Sequence, residues 1–333
     1  MKKLQRTLNT SQFALFALFI ATWLVFGFIN PAIFSVAAFY SLTRSCIVPA
    51  ILSLALMIIM VQGGIDLSFA AVAAFSSYVS VFMYSKNDMM DVPLIVIFLT
   101  AAVLAVALEM INWFFIDTVE IPPLITTLAT QTLIKGGVLA FISTSFIYTL
   151  PGAMQAYGTY YIATAAFPGG TESVLHVSVI LVAALYVIMH IVLEYTSFGR
   201  SLYAIGDDVS AARRAGIKVS LVRFYSFVIV GLICAAGGVT HNSLLRASFP
   251  WPPDIVGQEL TIIAAVVLGI GTSKQARGAV MGTLLGVVFL RFVSTNLIMI
   301  GVPSFWQRAV SGVIILAGLI IQMSRRKKVL SRG

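Results

Sequence analysis

Apolar runs of about twenty residues alternate along this chain with short polar breaks. Ten such runs are legible, at 12–29, 41–61, 69–84, 92–116, 123–146, 174–193, 224–239, 259–270, 279–300 and 304–323. A helix crosses the hydrocarbon layer of a bilayer with about 20 residues, whereas the strands of a membrane barrel alternate over about ten. The runs are unbroken, so they predict an all-α polytopic membrane protein of about ten transmembrane helices. Between them, 32–40 reads as an amphipathic stretch at the outer interface, and 149–171 as an outer loop with a short interfacial helix. The segment 241–257 reads as a second outer loop. The longest polar break, 194–223, has no rival for hydrophilicity over its length.

Composition agrees with this pattern. Of the 333 residues 59% are hydrophobic and 10% charged, against about 25% charged in soluble domains. The net charge of +9 does not form one patch, which argues against a nucleic-acid partner. Basic residues fall at the ends of the runs, and 15 of 21 lie on one predicted side. These are Lys2, Lys3 and Arg6, the polar break, Lys274 and Arg277, and the tail from Arg325 to Arg332. Cytoplasmic loops carry the excess of Lys and Arg, so ten spans place both termini in the cytoplasm. The run that begins at Phe13 lacks a small-residue cleavage site and reads as a retained span. The chain divides into a tail (1–11), six spans (12–193), a cytoplasmic segment (194–223), four spans (224–323) and a basic tail (324–333), all of one transmembrane domain. Cys46 and Cys234 lie in apolar runs without metal or disulfide spacing. His176, His190 and His241 are isolated, and no phosphate loop, HExxH or GxSxG occurs.

Three groups of residues carry candidate chemistry. The string Gln62-Gly-Gly-Ile-Asp-Leu-Ser68 interrupts the apolar pattern. Its glycines permit unwound backbone, Asp66 is an ionisable group at the membrane border, and Asp66 or Ser68 is suited to cap the following helix. Within the long polar break, 210–216 predicts a short amphipathic helix that Ser210 caps and Gly216 stops. Glu109, Lys135 and Arg291 fall inside apolar runs and require partners. Glu109 and Lys135 lie at similar depth in consecutive runs and predict an interhelical ion pair; Arg291 is expected to snorkel or face a cavity. Thr130, Gln131 and Thr132 suit either a polar path or hydrogen bonds between helices.

The string Gly63-Gly-Ile-Asp-Leu-Ser68 resembles the signature of the sugar-type permeases of bacterial ABC importers, the ribose/xylose/galactoside permease family. The polar break is similar to that family's cytoplasmic loop, through Thr196-x-x-Gly199-Arg-x-x-Tyr203-Ala-Ile-Gly206 and Ala211-Ala-Arg-x-Ala-Gly216-Ile. Weaker matches are Ile121-Pro, Thr126-Thr-Leu128, Lys135-Gly136, Gly257-Gln-Glu-Leu260, Ala264 to Gly269 and Trp306-x-Arg308-x-x-x-Gly312. The sequence departs from the family at Glu109-Met-Ile-Asn112-Trp113, where small residues are usual. It departs again after Gly269, where a paired double glycine is reduced; both departures are expected to loosen close helix approach.

The resemblance implies a type II-like importer permease in the bacterial inner membrane, without catalytic residues or a cofactor of its own. ATP and Mg would sit on a partner cytoplasmic ABC ATPase. A periplasmic binding protein would deliver a monosaccharide or similar solute, and a second permease subunit, identical or different, would complete the path. Gly199, Arg200, Gly206, Ser210, Ala212, Arg213, Arg214 and Gly216 would then couple to the ATPase. Gln62, Gly63, Gly64, Asp66, Ser68, Gln131 and Lys135 are candidates for the path or its gate. Rival solutes are a nucleoside, a branched-chain amino acid or an autoinducer-type sugar derivative. An autonomous channel or secondary transporter would need coupling carboxylates deep in the spans, where only Glu109 qualifies.

Overall fold

The computed structural model describes residues 10–270 apart from 168, residues 279–303, and scattered positions up to 316. Most of the predicted tenth run, the basic residues of both tails, Arg308, and Lys274 and Arg277 lie outside the described residues. The protein is mostly helical. Among the described residues, seven helices are long and apolar enough to cross a membrane.

The chain divides into two compact units. The first holds 1–53, 161–190 and 261–333. Here α1 (Thr10–Ile29) packs on α12 (Ala279–Met299). Phe292 meets Phe19 edge-on at 5.3 Å and stacks on Phe26 at 5.8 Å. Such pairs add to simple burial because the electropositive ring edge meets an electronegative face. Asn30 ends α1, caps the 3₁₀ turn Pro31–Phe34 and donates to the Met299 carbonyl at 2.7 Å. The turn is followed at once by α2 (Val36–Val61), so 36–40 belongs to a membrane helix and is not a separate interfacial stretch. Tyr186 of α7 (Ser178–Tyr195) shares a 3.0 Å hydrogen bond with Ser53 and donates to the Ala50 carbonyl. Two strands, β1 (Tyr161–Ala166) and β2 (Glu172–His176), form an antiparallel hairpin. The sixth span therefore starts at Ser178, because 174–176 is strand. The helix α11 (Glu259–Ile270) matches its apolar run. A methyl on Gly282 would collide with the Gly269 carbonyl oxygen and stand 2.8 Å from its carbon. The α11–α12 approach at Gly269 is thus backbone to backbone; the reduced glycine pattern at 271–278 lies outside the described residues.

The second unit holds 54–160 and 191–260. Its centre is α3 (Phe69–Lys86), against which α4 (Leu94–Trp113) and α10 (Val219–Leu245) pack. Residues 69–74 of α3 are all buried, as are Ser76, Ser77 and Ser80. Small side chains let neighbouring backbones come close, and a methyl on Gly238 of α10 would run into the Ala73 carbonyl. Over its first three turns α3 is shielded by its neighbours and needs no lipid-facing bulk, which accounts for the small and polar residues there. On α4, Val106 lies against Gly231 of α10, so this helix pair is also tight despite the Glu109 departure. The fifth span comprises α5 (Pro123–Gly137) and a π-turn, Val138–Ile142, and stops short of Phe146. The expected interfacial helix of the outer loop is α6 (Gly152–Thr159), packed on α10. Helix α10 extends beyond its apolar run at both ends. Its last turn buries His241, which pairs with Asp254 at 2.6 Å, so 241–245 is helix and not loop.

Candidate coupling site and buried polar cluster

The long polar break folds into two helices. The first, α8 (Ser197–Asp207), starts where the Thr196 hydroxyl accepts from the Gly199 N–H. Gly199 is buried because α8 turns back across the Leu193 carbonyl. The second, α9 (Val209–Arg214), is capped by Asp208, whose Oδ1 accepts from the N–H groups of Ser210 at 2.7 Å and Ala211 at 3.0 Å. The capping side chain is therefore Asp208 and not Ser210. A carboxylate serves better there, because it meets the positive end of the helix dipole. Gly216 ends the helix in the left-handed region, at φ +83°.

The segment has its own small core of Ile205, Ala212 and Val219, covered by Ala204, Val209, Ile217 and Val222. Ala212 is turned into that core and does not present itself to a partner. Ala211, Arg213, Arg214 and Ala215 stay exposed, as does Arg200. Burial pushes the Tyr203 phenol up from its ordinary range, and the Glu194 carboxylate adds to the shift.

The segment rests on the end of α2. A methyl on Gly206 would collide with the Val61 carbonyl oxygen, 3.0 Å from its carbon and 3.3 Å from the Gln62 Cα. Only hydrogen at that position allows α8 this approach. Gly63 turns the chain out of α2 at φ +90°, where an L side chain is strained. Around the contact lies a cavity of about 300 Å³, bordered by Gln62, Gly63, Gly64, Gly206, Asp208 and Arg223 among others. Gln62 is mostly buried, and its Oε1 has no partner. Across the cavity Arg223 pairs with Asp117 at 3.2 Å and fixes the foot of α10 to the π-turn that ends α4. Sequence reasoning missed this pair, since the two residues lie 106 positions apart.

Asp66 and Ser68 do not border the cavity. They belong to a polar cluster sealed inside the unit, in which Asp66, Ser68, Glu109 and Asn112 are all fully buried. Asp66 Oδ1 accepts from the Ser68 N–H at 2.6 Å and its hydroxyl at 2.7 Å. Asn112 Nδ2 donates to Ser68 Oγ at 2.9 Å and to Glu109 Oε2 at 3.0 Å. The Thr127 hydroxyl accepts from the Leu67 N–H at 3.1 Å and ties α5 to the same turn. Burial pushes the Asp66 carboxyl up from the ordinary carboxylate range, opposed by the Ser68 donors. The expected Glu109–Lys135 pair is not formed. Glu109 takes Asn112 one helical turn away, and Lys135 is exposed with its Nζ 5.2 Å from the Trp251 ring centroid. Gln131 donates to Glu259 at 2.9 Å, and the other oxygen of that carboxylate accepts from the Gly257 N–H. Arg291 lies half-buried within α12, in the other unit. The spacing of Glu109 and Asn112, three apart on one helix face, was the available sign of the cluster.

A family described as "Branched-chain amino acid transport system / permease component" matches residues 37–319. The chain belongs to this permease family. It is a transport component rather than an enzyme, and a multi-pass membrane protein. The permease is 31% identical over 306 residues to the ribose import permease protein RbsC of Bacillus subtilis (strain 168), across 92% of this chain and 89% of that one. The same-named protein of Haemophilus influenzae is 27% identical, across 89% and 88%. The autoinducer 2 import system permease protein LsrC of Escherichia coli (strain HS) is 25% identical, across 88% and 81%. No solved structure matches.

Proposed function

We propose that the permease is the membrane-spanning subunit of an ATP-driven importer that takes a monosaccharide or similar small polar solute from a binding protein into the cytoplasm. The observation that carries this reading is the 31% identity to a ribose import permease along 92% of the chain. The likeness to an autoinducer 2 permease points the same way, as does the string from Gly63 to Ser68. In this reading ten spans cross the inner membrane with both termini in the cytoplasm, supported by the distribution of Lys and Arg. A second permease subunit completes the path, and a separate ATPase holds ATP and Mg.

Helix α9 meets that ATPase. Its exposed Arg213 and Arg214 face acidic residues of the partner, while Ala211 and Ala215 allow close contact. The push passes through α8 and Gly206 to the backbone of Val61 and Gln62, and so to the turn carrying Gly63 and Gly64. Rigid packed elements move as bodies, and a backbone contact with no flexible side chain between them transmits that movement without slack. Asp66, Ser68 and Thr127 hold the far side of the turn. Gln131 and Lys135 remain candidates for the solute path.

The test is uptake of labelled ribose into proteoliposomes that contain the permease and its ATPase, with the binding protein supplied outside. ATP-dependent, ribose-saturable uptake supports the reading. A branched-chain amino acid taken up in place of ribose would overturn the sugar assignment.

A further inference from the structure

Four side chains of the second unit join in one patch where α5 approaches the segment 246–259. Gln131 and Lys135 lie one turn apart on α5, so they are neighbours on one helix face. Gln131 Nε2 donates to Glu259 Oε1 at 2.9 Å, and Lys135 Nζ stands over the Trp251 ring, 5.2 Å from its centroid. All four residues belong to the same compact unit. Glu259 is buried, and its Oε2 accepts from the Gly257 N–H at 2.7 Å, so the turn that carries this carboxylate also fixes it. Gln131 and Trp251 are half-buried and Lys135 is exposed. The patch is open on one side and rests on a buried acid on the other.

Its depth decides what it faces. Lys135 is the thirteenth of the 20 residues in the span Pro123–Ile142, about 10 Å from the nearer end. An ammonium at that depth is costly in lipid, and such groups face protein or a water-filled cavity. This span is also the least apolar of the seven. Thr132, Lys135 and Gly136 are its exposed residues beside the patch. A polar surface of this kind suits a water-filled path and not acyl chains.

The groups present match a small sugar. Gln131 Nε2 is committed to Glu259, which leaves the amide oxygen to accept from a hydroxyl, while the Lys135 ammonium donates to hydroxyl oxygens. The indole ring already draws a cation to its electronegative face, and the electropositive C–H face of a sugar ring is attracted to the same surface. A branched aliphatic side chain offers these polar groups nothing.

On the transport reading above, we propose that Gln131, Lys135 and Trp251 form a station on the solute path that binds a monosaccharide or similar polyol. Trp251 stacks on the sugar ring, Lys135 and Gln131 take its hydroxyls, and Glu259 is the positioning residue that holds the Gln131 amide.

The experiment is solute protection of a cysteine placed beside the patch. Thr132 is exposed and bonds within its own helix, to the Leu128 carbonyl, and the native Cys46 and Cys234 are buried. In Thr132→Cys permease, reconstituted in nanodiscs with its ATPase, a charged methanethiosulfonate reagent should modify the new thiol. D-ribose should slow that reaction about tenfold at ten times its half-protecting concentration, and leucine should not. Trp251→Phe keeps an aromatic face and should keep the protection; Trp251→Ala should lose it while labelling persists. Should Trp251→Ala fail to fold, Lys135→Met, at an exposed position, should lose the protection likewise. Absence of labelling both at rest and during ATP hydrolysis, or labelling that ribose does not slow, overturns the proposal. Protection by leucine in place of ribose overturns the class of solute. ATP-driven ribose uptake without protection removes this site and leaves the transport reading, whereas protection without driven uptake keeps the site and removes that reading.

Discussion

Replacing Gly206 by alanine tests the contact between the coupling segment and the end of α2. The new methyl would lie 3.0 Å from the Val61 carbonyl carbon and 3.3 Å from the Gln62 Cα, and would collide with the carbonyl oxygen itself. All three atoms are backbone, so no side chain can swing aside. Forcing a methyl into a tight contact costs about 1–3 kcal/mol. The cheapest relief is for α8 to lift from α2, because its own core of Ile205, Ala212 and Val219 travels with it. A penalty of that size shifts a docked population by about 5- to 150-fold. Reconstituted with its ATPase and binding protein, Gly206→Ala should hydrolyse ATP within a few-fold of the wild type. It should take up less solute per ATP by a factor in that range, with Tm lowered by only a few degrees. Wild-type uptake per ATP would refute the role assigned to this contact.

Charge reversal of Arg213 and Arg214 to Glu should leave expression and Tm unchanged, since both are exposed, but should abolish co-purification with the ATPase; retained co-purification would remove α9 from the interface. Arg223→Ala leaves the mostly buried Asp117 carboxylate without its partner and should destabilise by about 1–3 kcal/mol. The double variant with Asp117→Ala should recover much of that loss in a denaturation cycle, and strict additivity would show that the pair does not interact. Gly282→Val drives a branched side chain into the Gly269 backbone and should lower Tm by several degrees or prevent accumulation in the membrane.

Most spans were readable in the sequence because lipid selects directly for length and apolarity. The run at 259–270 coincides with α11, and α1, α3 and α12 differ from theirs by at most two residues. Local polar structure was harder to read. The β1–β2 hairpin follows a glycine-containing helix and uses short, mixed segments with no periodicity to mark them. Helix α8 buries Gly199, Leu202 and Ile205, a helical spacing hidden inside a stretch that reads as uniformly polar. Ser210 and Asp208 are both able to cap α9, and only the fold decides between them. The site was legible where one string carries it, as at Gly63 and Gly64. It was not where partners are distant in sequence: Arg223 with Asp117, Lys135 with Trp251, and Gly206 with Val61. Similar depth in neighbouring runs suggested Lys135 for Glu109, but a residue one turn away, Asn112, is the nearer partner.

The most direct test of driven transport measures ATP hydrolysed and solute taken up in the same proteoliposomes. It compares the intact permease with a variant whose residues 197–216 are replaced by a Gly-Ser linker, each with and without the ATPase. Uptake should require both the ATPase and the native segment, with none above background when either is missing. Sustained uptake by the linker variant, or by the permease alone, would contradict the claim that α8 and α9 carry the work of ATP hydrolysis to the membrane path.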